Sequence, residues 1–128
     1  MPQLPPFPSV FPIWWVAATA LIGVVASFAV LRLEARLTKS TSMPLREAAF
    51  ASLVVGLSIF AWRLSGNIPE LNEDPIGALS PNDWLCPVVT YVFLGIYAAY
   101  RRPIDSAGWA HSRAMLTATS FVVNVVTI

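Results

Sequence analysis

Chemistry in this chain would have to come from a short supply of side chains: one histidine, one cysteine and seven carboxylates among 128 residues. His111, the sole imidazole, is the one ready axial ligand for haem iron, chlorophyll magnesium or another metal, in a site that a second chain would complete. The plainer reading is an interfacial histidine beside Trp109 and Arg113 that holds no cofactor. Cys86 stands alone, which excludes an internal disulfide and any multi-cysteine zinc or iron–sulfur centre within the chain. It adjoins Pro87 in an apolar run with no histidine expected nearby, a setting that leaves the thiol inert. Glu70, Glu73, Asp74 and Asp83 share one segment whose oxygens could in principle gather around calcium. Their spacing matches no calcium loop, and Ser65-Gly66 and Asp74-Pro75 are turn signals, so a solvated acidic loop is the plainer reading. No nucleophile, base and orienting group recur together, and no glycine-rich phosphate loop is present. A non-enzymatic, metal-free protein is expected.

The elements that would hold these residues are written in the composition. Charged residues make up 12% and apolar residues 56% of the chain, and its mean hydropathy is +0.65. Soluble domains carry roughly 25% charged residues, and a water-facing surface could not be covered with half of that. The formal net charge is only +1, and no basic tract is long enough to follow a phosphate backbone, which sets nucleic acid aside as a partner. Four apolar stretches, at about 12–31, 47–64, 84–100 and 113–128, are separated by segments rich in charge, Pro, Gly, Ser or Asn. The expected fold is therefore all-α: a single integral-membrane domain of four transmembrane helices. A proline-rich tail at 1–11 reads as retained and extended, because it lacks the basic start of a secretory signal.

Sidedness follows from the cations. Arg32, Arg36, Lys39 and Arg46 lie in or beside the first connection and Arg101, Arg102 and Arg113 in or beside the third, so only one of eight cations, Arg63, falls opposite. Positive-inside bias then places both termini and the acidic 65–83 connection on the non-cytoplasmic side. Trp14, Trp15, Trp62 and Trp84 fall at the expected outer ends, and Trp109 with Tyr100 at the inner face, where amphipathic rings favour the headgroup zone. Ser80, Pro81 and Asp83 form a cap, first-turn proline and dipole-matched acid for the third helix, within which Pro87 should produce a kink.

Small residues four apart allow helices to approach closely in lipid. Thr19, Gly23 and Ser27 form one such ridge, Ser52 and Gly56 a second, Gly95 and Ala99 a third. They serve packing within the bundle or docking onto another subunit. Between the interfaces no ionisable residue is expected, with Glu34, Glu47, Arg63 and Asp83 near ends where they can snorkel and Arg63 within reach of an acidic-loop carboxylate. That argues against proton-coupled transport. Asn124 is the deepest strongly polar side chain and is expected to bond a neighbouring helix or, failing that, to contact a solute.

Arg101-Arg102, a short polar connection and His111-Ser112-Arg113-Ala114-Met115 opening an apolar helix together resemble a segment of uncharacterised multi-spanning bacterial membrane proteins. The resemblance covers Tyr97 to Ser120 and implies topology, with no activity attached. The expected role is a non-catalytic accessory or structural subunit of a larger membrane complex, respiratory or photosynthetic, in a bacterial inner membrane or a thylakoid-like energy-transducing membrane. Its partners would be the lipid bilayer and other membrane subunits or copies of itself. The alternative is a small self-assembling channel or carrier for a neutral solute, with Asn124 and the threonines of the last span along its route.

Overall fold

The computed structural model describes residues 12–38, 44–66, 81–101 and 106–127. They form four helices: α1 (Ile13–Thr38), α2 (Leu45–Ser65), α3 (Pro81–Arg101) and α4 (Ser106–Thr127). Three of them, over Ile13–Arg36, Leu45–Ser65 and Asp83–Arg101, are long and apolar enough to cross a membrane, the mark of an integral membrane protein.

Local chemistry accounts for the ends. The Pro12 carbonyl accepts from the Trp15 and Val16 amides, and the Pro44 carbonyl from Ala48, so each proline supplies an acceptor to the first turn while the N–H it lacks would have no partner within the helix. Gly66 closes α2 by donating its amide to the Trp62 carbonyl at 2.7 Å. Pro81 opens α3. Ser80, its expected cap, lies outside the described residues, as do the tail, most of the acidic connection, Lys39 and Arg102.

The helices run up and down in a closed ring. Each packs on its neighbours in sequence and α1 packs on α4, while of the two diagonals only α2 and α4 touch. Trp15 Nε1 donates to the Thr127 carbonyl at 3.1 Å, so the start of α1 and the end of α4 share one end of the bundle. At the other end Glu34 of α1 meets His111 of α4.

The distribution of polarity is inverted relative to a soluble bundle. Leu21, Val25, Leu53, Leu57, Val88, Val92, Ile96, Val122 and Val126 are exposed, whereas Thr19, Ser27, Ser52, Ser58, Thr90, Ser112, Ser120 and Asn124 are buried. Hydrocarbon as solvent makes that arrangement stable, because apolar side chains gain nothing by turning inward and polar ones must find partners within the protein. The core between them is filled by Ala51, Val55, Ile59, Leu94, Leu116 and Val123.

The first two small-residue ridges lie inside this ring. A Cβ on Gly23 would meet Ile59, and one on Gly56 would collide with the Val24 side chain and press on the Ala20 carbonyl oxygen, so α1 and α2 touch nearly backbone to backbone. Thr19 and Ser27 are buried, yet their hydroxyls have no hydrogen-bond partner among the described residues, so small size is what they contribute. The third ridge is different: Gly95 is covered by the Arg113 guanidinium and Ala99 faces outward.

Helix α4 covers 113–127 of the expected fourth span and starts upstream of it. It begins at Ser106 rather than near 113, so Trp109, His111 and Arg113 are helical residues and not part of the connection. Polar side chains within it depress its apolarity, and it is not among the helices that pass as spans on length and composition. It nonetheless lies along α1 and α3 for its whole length, with its polar face turned inward.

Candidate functional site

Polar groups concentrate at three levels of the bundle. At the end that carries Trp15 and Thr127, Arg63 from α2 points into the core. Its Nη2 donates to Asp83 Oδ1 at 2.8 Å, and its Nε donates to Asn124 Oδ1 at 2.6 Å. Arg63 and Asp83 retain only 1% and 2% side-chain exposure, which corrects the expectation that both snorkel to the surface. The physical reason is mutual: each neutralises the other's charge, and Asn124 takes up a further guanidinium proton, so neither has to reach water. Asp83 is thereby paired with Arg63. The other members of the suggested calcium site, Glu70, Glu73 and Asp74, lie outside the described residues.

The network continues inward. Asn124 Nδ2 donates to the Ser120 carbonyl at 2.7 Å, Ser120 and Thr90 hydroxyls lie 2.8 Å apart, Thr90 and Ser58 likewise 2.8 Å apart, and Ser58 donates to the Val55 carbonyl at 2.7 Å. A carbonyl only accepts and each hydroxyl has one proton, so donation runs Ser120 to Thr90 to Ser58 to Val55. Cys86 Sγ is buried 3.9 Å from Ser120 Oγ, at the edge of this chain. Beyond it lie Val55, Leu94 and Leu116, all fully buried, so the hydroxyl track ends on apolar packing.

At the opposite end the charged groups pair at the surface. Glu47 accepts from Tyr97 Oη and Arg101 Nη2, each at 2.6 Å, and Arg101 also lies 5.1 Å from the Phe50 ring centroid. His111 Nε2 is 2.9 Å from Glu34 Oε2, and the Ser112 hydroxyl donates to Glu34 Oε1 at 3.2 Å. His111 is 61% exposed, and an axial ligand at this position would have to use Nδ1 or release Glu34. Trp109, at the same end of the bundle, is buried between helices with its ring 5.7 Å from Tyr97. Among the described residues no three His, Cys, Asp or Glu side chains are grouped so as to hold a metal ion.

The third level is the one sequence reading missed. Arg113 lies seven residues into α4, and both its Nε and Nη2 donate to the Tyr91 carbonyl, at 3.0 and 2.6 Å. Its guanidinium also sits 3.5 Å from the centroid of the Tyr91 ring, over the bare Cα of Gly95. The guanidinium rests over Gly95, six residues from the Arg101 end of α3, or about 9 Å at about 1.5 Å per residue, on the outward face of the bundle. An arginine at the centre of a bilayer costs about 2.5–3.5 kcal/mol on insertion scales. Among the described residues no carboxylate pairs with it.

Beside Arg113 an open apolar groove of about 440 Å³ runs between α3 and α4, lined by Trp84, Pro87, Tyr91, Thr117, Ala118 and Phe121 together with Ala114. Trp84 and Phe121 close one end of it with their ring centroids 5.3 Å apart. Ala110, Ala114 and Ala118 make an exposed small-residue ridge along α4. A helical projection of 106–127 would have revealed that ridge and the inward Ser112, Ser120 and Asn124 stripe, but only once the helix is known to start at Ser106. No family model, curated protein or solved structure matches the chain.

Proposed function

We propose that this protein is a non-catalytic structural subunit of a larger membrane assembly and binds that assembly through the outer face of α3 and α4. The observation that carries this reading is the aromatic-rimmed groove between the two helices, with the alanine ridge alongside. Close helix approach is what drives association in lipid, and small residues on an outward face offer it to another chain. The inward polar groups support the same role, since Arg63, Asp83, Asn124, Ser120, Thr90 and Ser58 are engaged with one another. In this reading α4 is a fourth span, and the end bearing Arg32, Arg36, Arg46 and Arg101 faces the cytoplasm of a bacterial cell or the equivalent side of an energy-transducing membrane.

The channel reading has less support. Both amide atoms of Asn124 are bonded inside the bundle, away from any face where copies would meet. Extraction of native membranes in mild detergent, followed by sizing and mass spectrometry, tests the proposal. Comigration with a stoichiometric larger complex is expected, and recovery solely as a free monomer overturns it.

A further inference from the structure

Building on that subunit role, we infer that the α3–α4 groove receives a transmembrane helix of a different protein, and that this helix carries a carboxylate level with Gly95 which pairs with Arg113. The cation fixes the chemistry of the occupant. Two of its nitrogens are spent on a single backbone carbonyl, and Tyr91 covers one face of the guanidinium plane. The planar fork of an arginine is matched by a carboxylate, and in lipid that pairing removes the penalty of leaving a charge against hydrocarbon. A groove of apolar and small residues beside the fork accommodates the helix that brings the carboxylate.

Other occupants fit less well. A second copy docked across a two-fold axis would set Arg113 against Arg113, because the described carboxylates are buried (Asp83) or at the charged end of the bundle (Glu34, Glu47). A lipid phosphate would have to reach about 9 Å along α3 from its Arg101 end, past Tyr97, to meet a guanidinium held on the Tyr91 carbonyl over Gly95.

The test uses the full chain in phosphatidylcholine vesicles with synthetic leucine–alanine helices of ~20 residues, identical except for a Glu, Leu or Lys at the depth of Gly95. Binding is read by energy transfer between labelled protein and labelled peptide. The Glu peptide should bind at least about tenfold more tightly than the Leu peptide, and the Lys peptide most weakly. Arg113→Leu should abolish the Glu preference, and Ala118→Trp, which fills the groove without touching the charge, should weaken the Glu and Leu peptides alike. Equal binding of the three peptides to the unmodified protein overturns the inference even if Arg113→Leu proves unable to fold. A Glu preference that survives Arg113→Leu also overturns it, as does transfer between labelled copies of the protein that no peptide displaces. A protein without Glu preference that still extracts with a larger complex sinks this inference alone. Extraction only as a monomer sinks the subunit role and leaves the peptide series to judge the site.

Discussion

Arg63 is the residue on which the Trp15–Thr127 end of the bundle turns. A buried ion pair adds little net stability over a well-packed apolar pair, yet removing one partner strands the other charge. Asp83→Leu or Arg63→Met alone should therefore cost about 3–5 kcal/mol, whereas the double variant should recover most of that loss. Reversible unfolding in detergent, followed by circular dichroism, checks this; two single losses that simply add would show that the pair is not coupled. Burial of the pair was not legible in the sequence. Both residues sit near helix ends, where a hydropathy profile expects snorkelling, and the contact joins positions 20 apart across a connection. The clue available was a row of polar residues at helical spacing, Asp83, Cys86 and Thr90 on one helix and Ser112, Ser120 and Asn124 on another. Such rows mark faces that turn toward each other rather than toward lipid.

Among the elements, α1 and α2 make the closest approach, and the two glycines there are not equivalent. At Gly23 an added methyl meets the far end of the Ile59 side chain, which can rotate away. Gly56 faces the stiff β-branched Val24 and a backbone oxygen of Ala20, neither of which can yield without moving α1. Gly56→Ala should destabilise the bundle by about 1–3 kcal/mol and Gly23→Ala by clearly less; equal losses in the same unfolding assay would contradict this ordering. These ridges could be read from sequence because spacing of four is a local property. So could α2 and α3, whose apolar runs are uninterrupted and whose ends differ from the expected spans by only a few residues. Helix α4 reaches further upstream than the expected span because His111 and Arg113 interrupt the hydropathy of a segment that is helical from Ser106. Hydropathy reports what lipid would accept from an isolated helix, and α4 is not isolated.

For the whole molecule, the ring closed by Trp15 and Thr127 puts the two ends of the described chain on one side of the bundle. Cysteines placed at Pro2 and Ile128 in a Cys86→Ala background should both react with an impermeant maleimide from outside the cell, and reaction of one but not the other would refute the proposed orientation. All four helices and their inverted polarity could be anticipated from composition, but their pairing into a ring could not, because it depends on which side chains meet across the interior. The weak apolarity of α4 also bears on how the protein is made. A ribosome delivers this helix after the other three, and by itself it has little reason to stay in hydrocarbon. In the proposed four-span arrangement, the groove of hydroxyls offered by helices already in place, Ser58 and Thr90 foremost, supplies the solvent it lacks, so membrane insertion of this segment and closure of the ring become a single event.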